Sequence, residues 1–295
     1  MSLAGSTWHA AGMTAPIAAR LDPLTARKTW RTLEPVHAAI YFVSEAGEEQ
    51  DRLGVPRSTG GYFASRAAPM GAVPDTVVVA TFFNFEPGYV CEMMDGAWAA
   101  ATPTEWLDAR LRAADRMFPR LVAEPLDDPS MTRAVELARA AAERACEMPE
   151  GRPLFAGHAS LPWPDEPHLA LWHAQSLLRE FRGDGHIASL IAEGLTAPEA
   201  LVTHAASGET TADTLRKSRR WSNAAWEAAE DGLRERGWLD ASGALTTEGR
   251  ARRQKIEDRT DELAAPAYAA IGEDGCDELR RLVRPVSRQM ATVFG

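Results

Sequence analysis

The stretch from Leu215 to Gln254, LRKSRRWSNAAWEAAEDGLRERGWLDASGALTTEGRARRQ, constrains the fold more than any other. It opens on a basic turn. Asn223 to Arg236 then reads as a helix, because Trp226, Ala229 and Leu233 recur on one face and Gly237 stops it. Trp238-Leu239 runs into a turn at Asp240 to Gly243, and Ala244-Leu245-Thr246 returns as a second short strand. Thr247 is the cap candidate for a further helix.

Turn, helix, hairpin, helix is the order of a winged helix-turn-helix. Arg236-Gly237-Trp238, the run Leu245-Thr246-Thr247-Glu248-Gly249-Arg250 and the helix from Arg252 onward resemble the C-terminal half of MarR-type regulators. A wider pattern, LEPVHAAIYF, GGYFASRAAP, TFFNF and LWHAQSLLREFRGDGH, resembles an actinobacterial helix-turn-helix family from about Arg27 to Arg288. That resemblance implies a helix-turn-helix and assigns no activity and no catalytic residue.

The rest of the chain divides by composition. Residues 1–24 read as an N-terminal arm, 25–148 as a degenerate winged-helix-like unit, 149–167 as a Pro/Gly-rich linker, and 168–295 as the MarR-like unit with its C-terminal helices. Helices are expected from Thr25, with His37 on the apolar face, from Tyr62 to Ala68, from Glu86-Pro87, from Thr104 to Phe118 and from Met131 to Met148. In the second half one helix runs from His168 to Gly183, with Asp184-Gly185 as a turn, and Pro198 opens the next. The halves echo each other. A segment from His37 to Gly71 matches one from His173 to Gly208, and Phe83 to Pro87 lies where Trp221 to Ala225 lies. The expected fold is therefore mainly α: two tandem winged helix-turn-helix units forming a pseudo-dimer in one chain, with small hairpins as the only β structure.

Composition narrows the partners. The 295 residues carry a formal charge of −10, which argues against a protein living on phosphate contacts. Three widely spaced cysteines without a CxxC suggest a reducing cytoplasm and no thiol-only zinc site. No signal peptide and no membrane span is expected. High Ala, Arg, Glu and Asp with little Lys fits a GC-rich, actinobacterial genome.

The helix that should read DNA is acidic, carrying Glu227, Glu230, Asp231 and Glu235 against Arg234 and Arg236. Its counterpart, Glu86 to Met94, has no Lys or Arg. Only Arg216, Lys217, Arg219 and Arg220 could hold phosphates. The polar residues on apolar faces point instead to a pocket between the halves. Its candidate ligand-binding residues are His37, Tyr41, Tyr62, Arg66, Asn84, Trp172, His173 and His204, with Arg66 placed to pair an acidic group. Glu34, Gln175, Arg179, Glu180 and Arg182 lie on the same two helices. His173 with Glu180, or His37, are the acid–base candidates if a reaction is catalysed. His37, His173 and His204 are the imidazoles a metal or haem would need, but no HExxH, HxH or CxxCH spacing supports either cofactor. The expected function is a winged-helix scaffold with weakened DNA readout that binds a small molecule between its halves, as a binding protein or an enzyme of specialised metabolism. The alternative is a MarR-like, ligand-responsive transcription regulator bound to DNA. Either is expected as a monomer or homodimer.

Overall fold

The computed structural model describes residues 21–55, 60–123, 125–126 and 128–294. The arm expected over residues 1–24 falls outside these up to residue 20. In the first half the helices are α1 (Pro23–Ala38), α2 (Ser44–Arg52), α3 (Gly61–Ala67), α4 (Asp75–Thr81), α5 (Pro87–Met94), α6 (Ala97–Ala100), α7 (Pro103–Leu121) and α8 (Pro129–Cys146). In the second they are α9 (Pro153–Ala159), α10 (Pro167–Ala192), α11 (Ala197–Ala206), α12 (Ala212–Arg219), α13 (Asn223–Glu235), α14 (Thr247–Tyr268) and α15 (Gly272–Met290). The fold is mainly helical, and among the described residues the only β pairing is one antiparallel bridge, Leu239 to Leu245.

Local chemistry explains the helix boundaries. Thr102 and Glu105 form a reciprocal capping box at α7, and Thr196 and Glu199 form another at α11, each with Pro in the first turn. Ser222 caps α13 by accepting from the Ala225 amide at 3.1 Å, and Gly237, at φ 73°, ends it in the left-handed region. The cap of α14 is Thr246, one residue before the expected Thr247. Its hydroxyl accepts from the Gly249 amide at 2.9 Å and donates to the Gly237 carbonyl at 2.7 Å. Gly249 is required here, because a Cβ would stand 2.0 Å from the Trp238 carbonyl oxygen.

Three cores result. The largest joins both halves: Leu33 and Val36 of α1, Met117 of α7, Ala138 of α8, Leu171 and Leu177 of α10, Tyr268 of α14 and Leu279 of α15 pack together. A second gathers Phe63, Val78, Phe82, Val90 and Trp106 of the first half. The third gathers Leu201, Trp226, Leu233, Trp238, Leu245 and Ile256 of the second. Two residues cross between them: Leu154 enters the first-half core, and Phe83 packs against the second-half one.

Three expectations need correction. Helix α10 does not end at Gly183; it runs through Gly183, Asp184 and Gly185 to Ala192. The glycine at 185 serves close packing rather than a turn, since a Cβ there would lie 3.3 Å from the Cβ of Leu263 on α14. Asp184 points inward and accepts from the Phe155 amide at 3.0 Å. The expected hairpins reduce to the single bridge, and the first half has the short helix α6 where a wing would stand. Within residues 149–167 lies α9, whose Leu154, Phe155 and His158 are buried.

Candidate ligand cavity and helix-turn-helix surfaces

A cavity of about 310 Å³ opens between the halves. Its walls come from α1 (Trp30, Glu34), α3 (Tyr62, Arg66), the turn before α5 (Phe82 to Phe85), α10 (Arg179, Glu180, Arg182 to Asp184, His186 and Ile187), α11 (His204), α12 (Arg219) and α14 (Arg253, Glu257). The volume falls at the lower end of the range for small-molecule sites.

Helical spacing brings the polar residues to it. On α10, Arg179, Gly183 and His186 follow one face, with Glu180 and Ile187 beside them. Glu180 is the hub. Arg66 Nη2 donates to both its oxygens, at 3.0 and 3.3 Å, and Arg179 Nη1 donates at 2.9 Å. Burial would raise the Glu180 carboxyl, but Arg66 and Arg179 outweigh it and bring the pKa down to about 2. Arg66 also donates to the Tyr62 hydroxyl at 2.7 Å, and its guanidinium lies 4.6 Å from the Phe82 ring centroid. Arg179 continues to Glu34 at 3.0 Å. At the other end Arg182 and Arg27 share the buried carboxylate of Asp261, at 2.6 and 2.5 Å, and Arg253 pairs with Glu257 at 2.6 Å.

Arg219 differs from these. Its guanidinium lies 4.5 Å from the Phe85 centroid and its Nε, like those of Arg66 and Arg253, is buried without a hydrogen-bond partner; unlike theirs, its guanidinium has no carboxylate within ion-pair distance among the described residues. Burial pushes its pKa down, and the nearby Arg66 and Arg179 add to that. The side-chain oxygen of Asn84 on the same wall is buried and without a partner as well.

The predicted ligand residues divide into two groups. Tyr62, Arg66, Asn84 and His204 line the cavity, as does Glu180. His204 sits with Nδ1 3.5 Å from Arg253 Nη2. His37, Tyr41, Trp172 and His173 do not line it. His37 is fully buried, held by Ser176 and Tyr41 at 2.8 Å each and stacked on Trp172. Tyr41 is taken up by that bond and by Arg110 at 3.1 Å, and borders a separate cavity of about 210 Å³. His173 meets Trp163 edge to face at 4.8 Å, two turns before Glu180 on α10 and outside the cavity wall. Among the described residues no group of three or more His, Cys, Asp or Glu is arranged to hold a metal ion.

The cavity-facing roles of Asp184, His186, Arg253 and Glu257 escaped the sequence reading. Taking Gly183 as a helix end hid the continuing periodicity that carries Asp184 and His186 inward. Arg253 and Glu257 announce themselves only as an i, i+4 pair on α14.

The surfaces that would meet DNA are largely neutralised. On α13 the exposed residues include Glu227, Asp231 and Glu235, while Arg234 pairs with Glu230 and Asp231, and Arg236 pairs with Glu199. The stretch expected as a basic turn is the last turn of helix α12, where Arg216 and Lys217 both pair with Asp213, at 3.0 and 2.7 Å. Arg219 turns to the cavity, and Arg220, at φ 63°, lies 5.3 Å from the Tyr89 centroid. The connections leading into α5 and α13 also touch: the Glu86 amide donates to the Arg219 carbonyl at 3.0 Å, and Trp221 Nε1 donates to the Asn84 carbonyl at 2.9 Å.

A helical protein with a short helix, a turn and a second helix leading into a one-bridge wing is a helix-turn-helix protein by class. The chain belongs to a helix-turn-helix family whose profile matches residues 26–294. No curated protein and no solved structure matches it. No helix among the described residues is long and apolar enough to cross a membrane.

Proposed function

We propose that the chain is a tandem pair of MarR-like winged-helix units, a pseudo-dimer in one polypeptide, that binds a small molecule in the cavity between its halves. The order of elements supports the pairing. Helices starting at 61, 75 and 87 answer those starting at 197, 212 and 223, and the long α7 and α8 answer α14 and α15. The second unit keeps a wing where the first has α6.

One observation carries the ligand reading: the cavity draws charged and aromatic side chains from both halves, while the cations of α13, the helix expected to read DNA, are spent on neighbouring carboxylates. Binding is favoured over catalysis, because Glu180, held at about pKa 2, is a poor base at neutral pH, and His173 lies elsewhere. Its three unpaired cysteines suit a cytoplasmic site.

Two measurements test this. Saturation-transfer NMR on the full chain with benzoate, benzamide and benzylamine, one shape in three charge states, should detect binding of at least one. Ile187→Trp, which fills the cavity, should abolish it. No transfer to any of the three, or transfer unchanged in Ile187→Trp, overturns the cavity reading. DNA flanking its own gene should give no sequence-selective mobility shift. A selective, salt-dependent complex would favour the regulator.

A further inference from the structure

The cavity reading can be carried to a ligand class. Charge on the wall is mixed: Arg182 and Arg253 face Asp261 and Glu257, Asp184 accepts from the Phe155 amide, and around Glu180 the guanidinium groups of Arg66, Arg179 and Arg219 meet the carboxylates of Glu34 and Glu180. The two carboxylates are taken up by Arg66 and Arg179. Arg219 is left with a weak bond to the hydroxyl of Ser218 at 3.2 Å and a buried, unpartnered Nε. Arg219 is half-buried, and a charge partly withdrawn from water with no counter-charge beside it carries a cost that an incoming group of opposite sign would offset. The residues beside it are aromatic: the ring centroids of Phe82 and Phe85 lie 4.6 and 4.5 Å from the guanidinium carbons of Arg66 and Arg219. Asn84 adds a buried amide oxygen without a partner.

Resting on the small-molecule reading above, we infer that the cavity binds a small organic anion with an apolar or aromatic body, its acid group anchored by Arg219. The carboxylate or phosphate accepts from Arg219, the body lies against Phe82 and Phe85, and an O–H or N–H on the ligand donates to Asn84. Arg66, which the sequence suggested for the acid group, instead fixes Tyr62 and Glu180 and so shapes the wall. Arg219, which the sequence suggested for DNA phosphate, takes the acid.

The charge series separates this from the parent reading. Benzoate should bind at least tenfold more tightly than benzamide, and benzylamine least. Arg219→Met should reduce benzoate affinity at least tenfold while leaving benzamide within threefold, with the fold verified by circular dichroism. Arg219→Lys, which keeps the charge, should recover most of the loss and guards against a folding defect in the Met variant. Benzamide or benzylamine binding as tightly as benzoate, or benzoate binding unchanged in Arg219→Met, overturns the anion inference and leaves the cavity reading intact. Inorganic phosphate binding as tightly as benzoate would overturn the apolar body.

Discussion

Glu180 shows how charge is made tolerable inside this protein. It is 2% exposed, and two guanidinium groups and their hydrogen bonds offset its desolvation. Removing its charge leaves buried Arg66 without a carboxylate partner and Arg179 with Glu34 alone. Glu180→Gln should therefore destabilise the fold by about 3–5 kcal/mol, read as a fall in the urea midpoint at unchanged slope. The buried histidines make a second prediction. Burial pushes His158 down to about 3 and His173 and His186 down to about 4. Unfolded, each would titrate near 6.5, so below that pH the unfolded chain takes up protons the native state refuses. Stability should be fully present above about pH 6.5 and fall as pH drops toward 4, by up to about 1.4 kcal/mol per pH unit for each histidine. Asp184 works against this in part. Burial raises it to about 6, so the native state binds its proton more readily than the unfolded chain between pH 6 and 4. Urea titrations at pH 7, 6, 5 and 4 would check the net slope; a flat profile would contradict it. At this scale the sequence was half informative. Tyr62, Arg66 and His204 could be placed because they stand at repeating positions of amphipathic helices. The engagement of His37 by Ser176, 139 residues away, could not, because partners so distant are chosen by tertiary packing.

Among the elements, the hairpin and α14 form one tightly joined corner. The Thr246 amide donates to the Trp238 carbonyl at 2.9 Å, and Gly249 sits where any side chain would meet that carbonyl. Gly249→Ala forces the corner apart and should cost about 1–3 kcal/mol, measured by the denaturation midpoint. This corner was legible, since Gly237, the turn residues and the Thr-rich start of α14 each follow local rules that no distant contact overrides. The long α10 was not. Two glycines and an aspartate over Gly183 to Gly185 carry the local signature of a turn, yet the packing of α9 and α14 against the helix keeps them helical.

For the whole molecule, the decisive fact is that the largest core belongs to neither half. Leu33 and Val36 of α1 meet Leu279 and Val283 of α15, and α8 packs along α10. Residues 1–148 produced alone would expose that surface. They should be insoluble or lack cooperative unfolding, and co-production with residues 149–295 should restore a soluble complex. A separately folded first half, seen by circular dichroism and a cooperative melt, would show the cores to be independent. The mutual dependence of the halves could not be read from the sequence, because apolar faces do not declare their partners.

The contact between the connections leading into α5 and α13 sets a limit on reach. Glu86 precedes α5 directly, and three residues separate Arg219 from Asn223, the first residue of α13. Even with those residues fully stretched, the starts of α5 and α13 stand within about 25 Å of each other. Two-fold helix-turn-helix dimers place their reading helices about 34 Å apart, one repeat of the double helix. While the Glu86–Arg219 bond holds, no inverted repeat can be straddled by this chain, and its span on a duplex would be that of a single half-site.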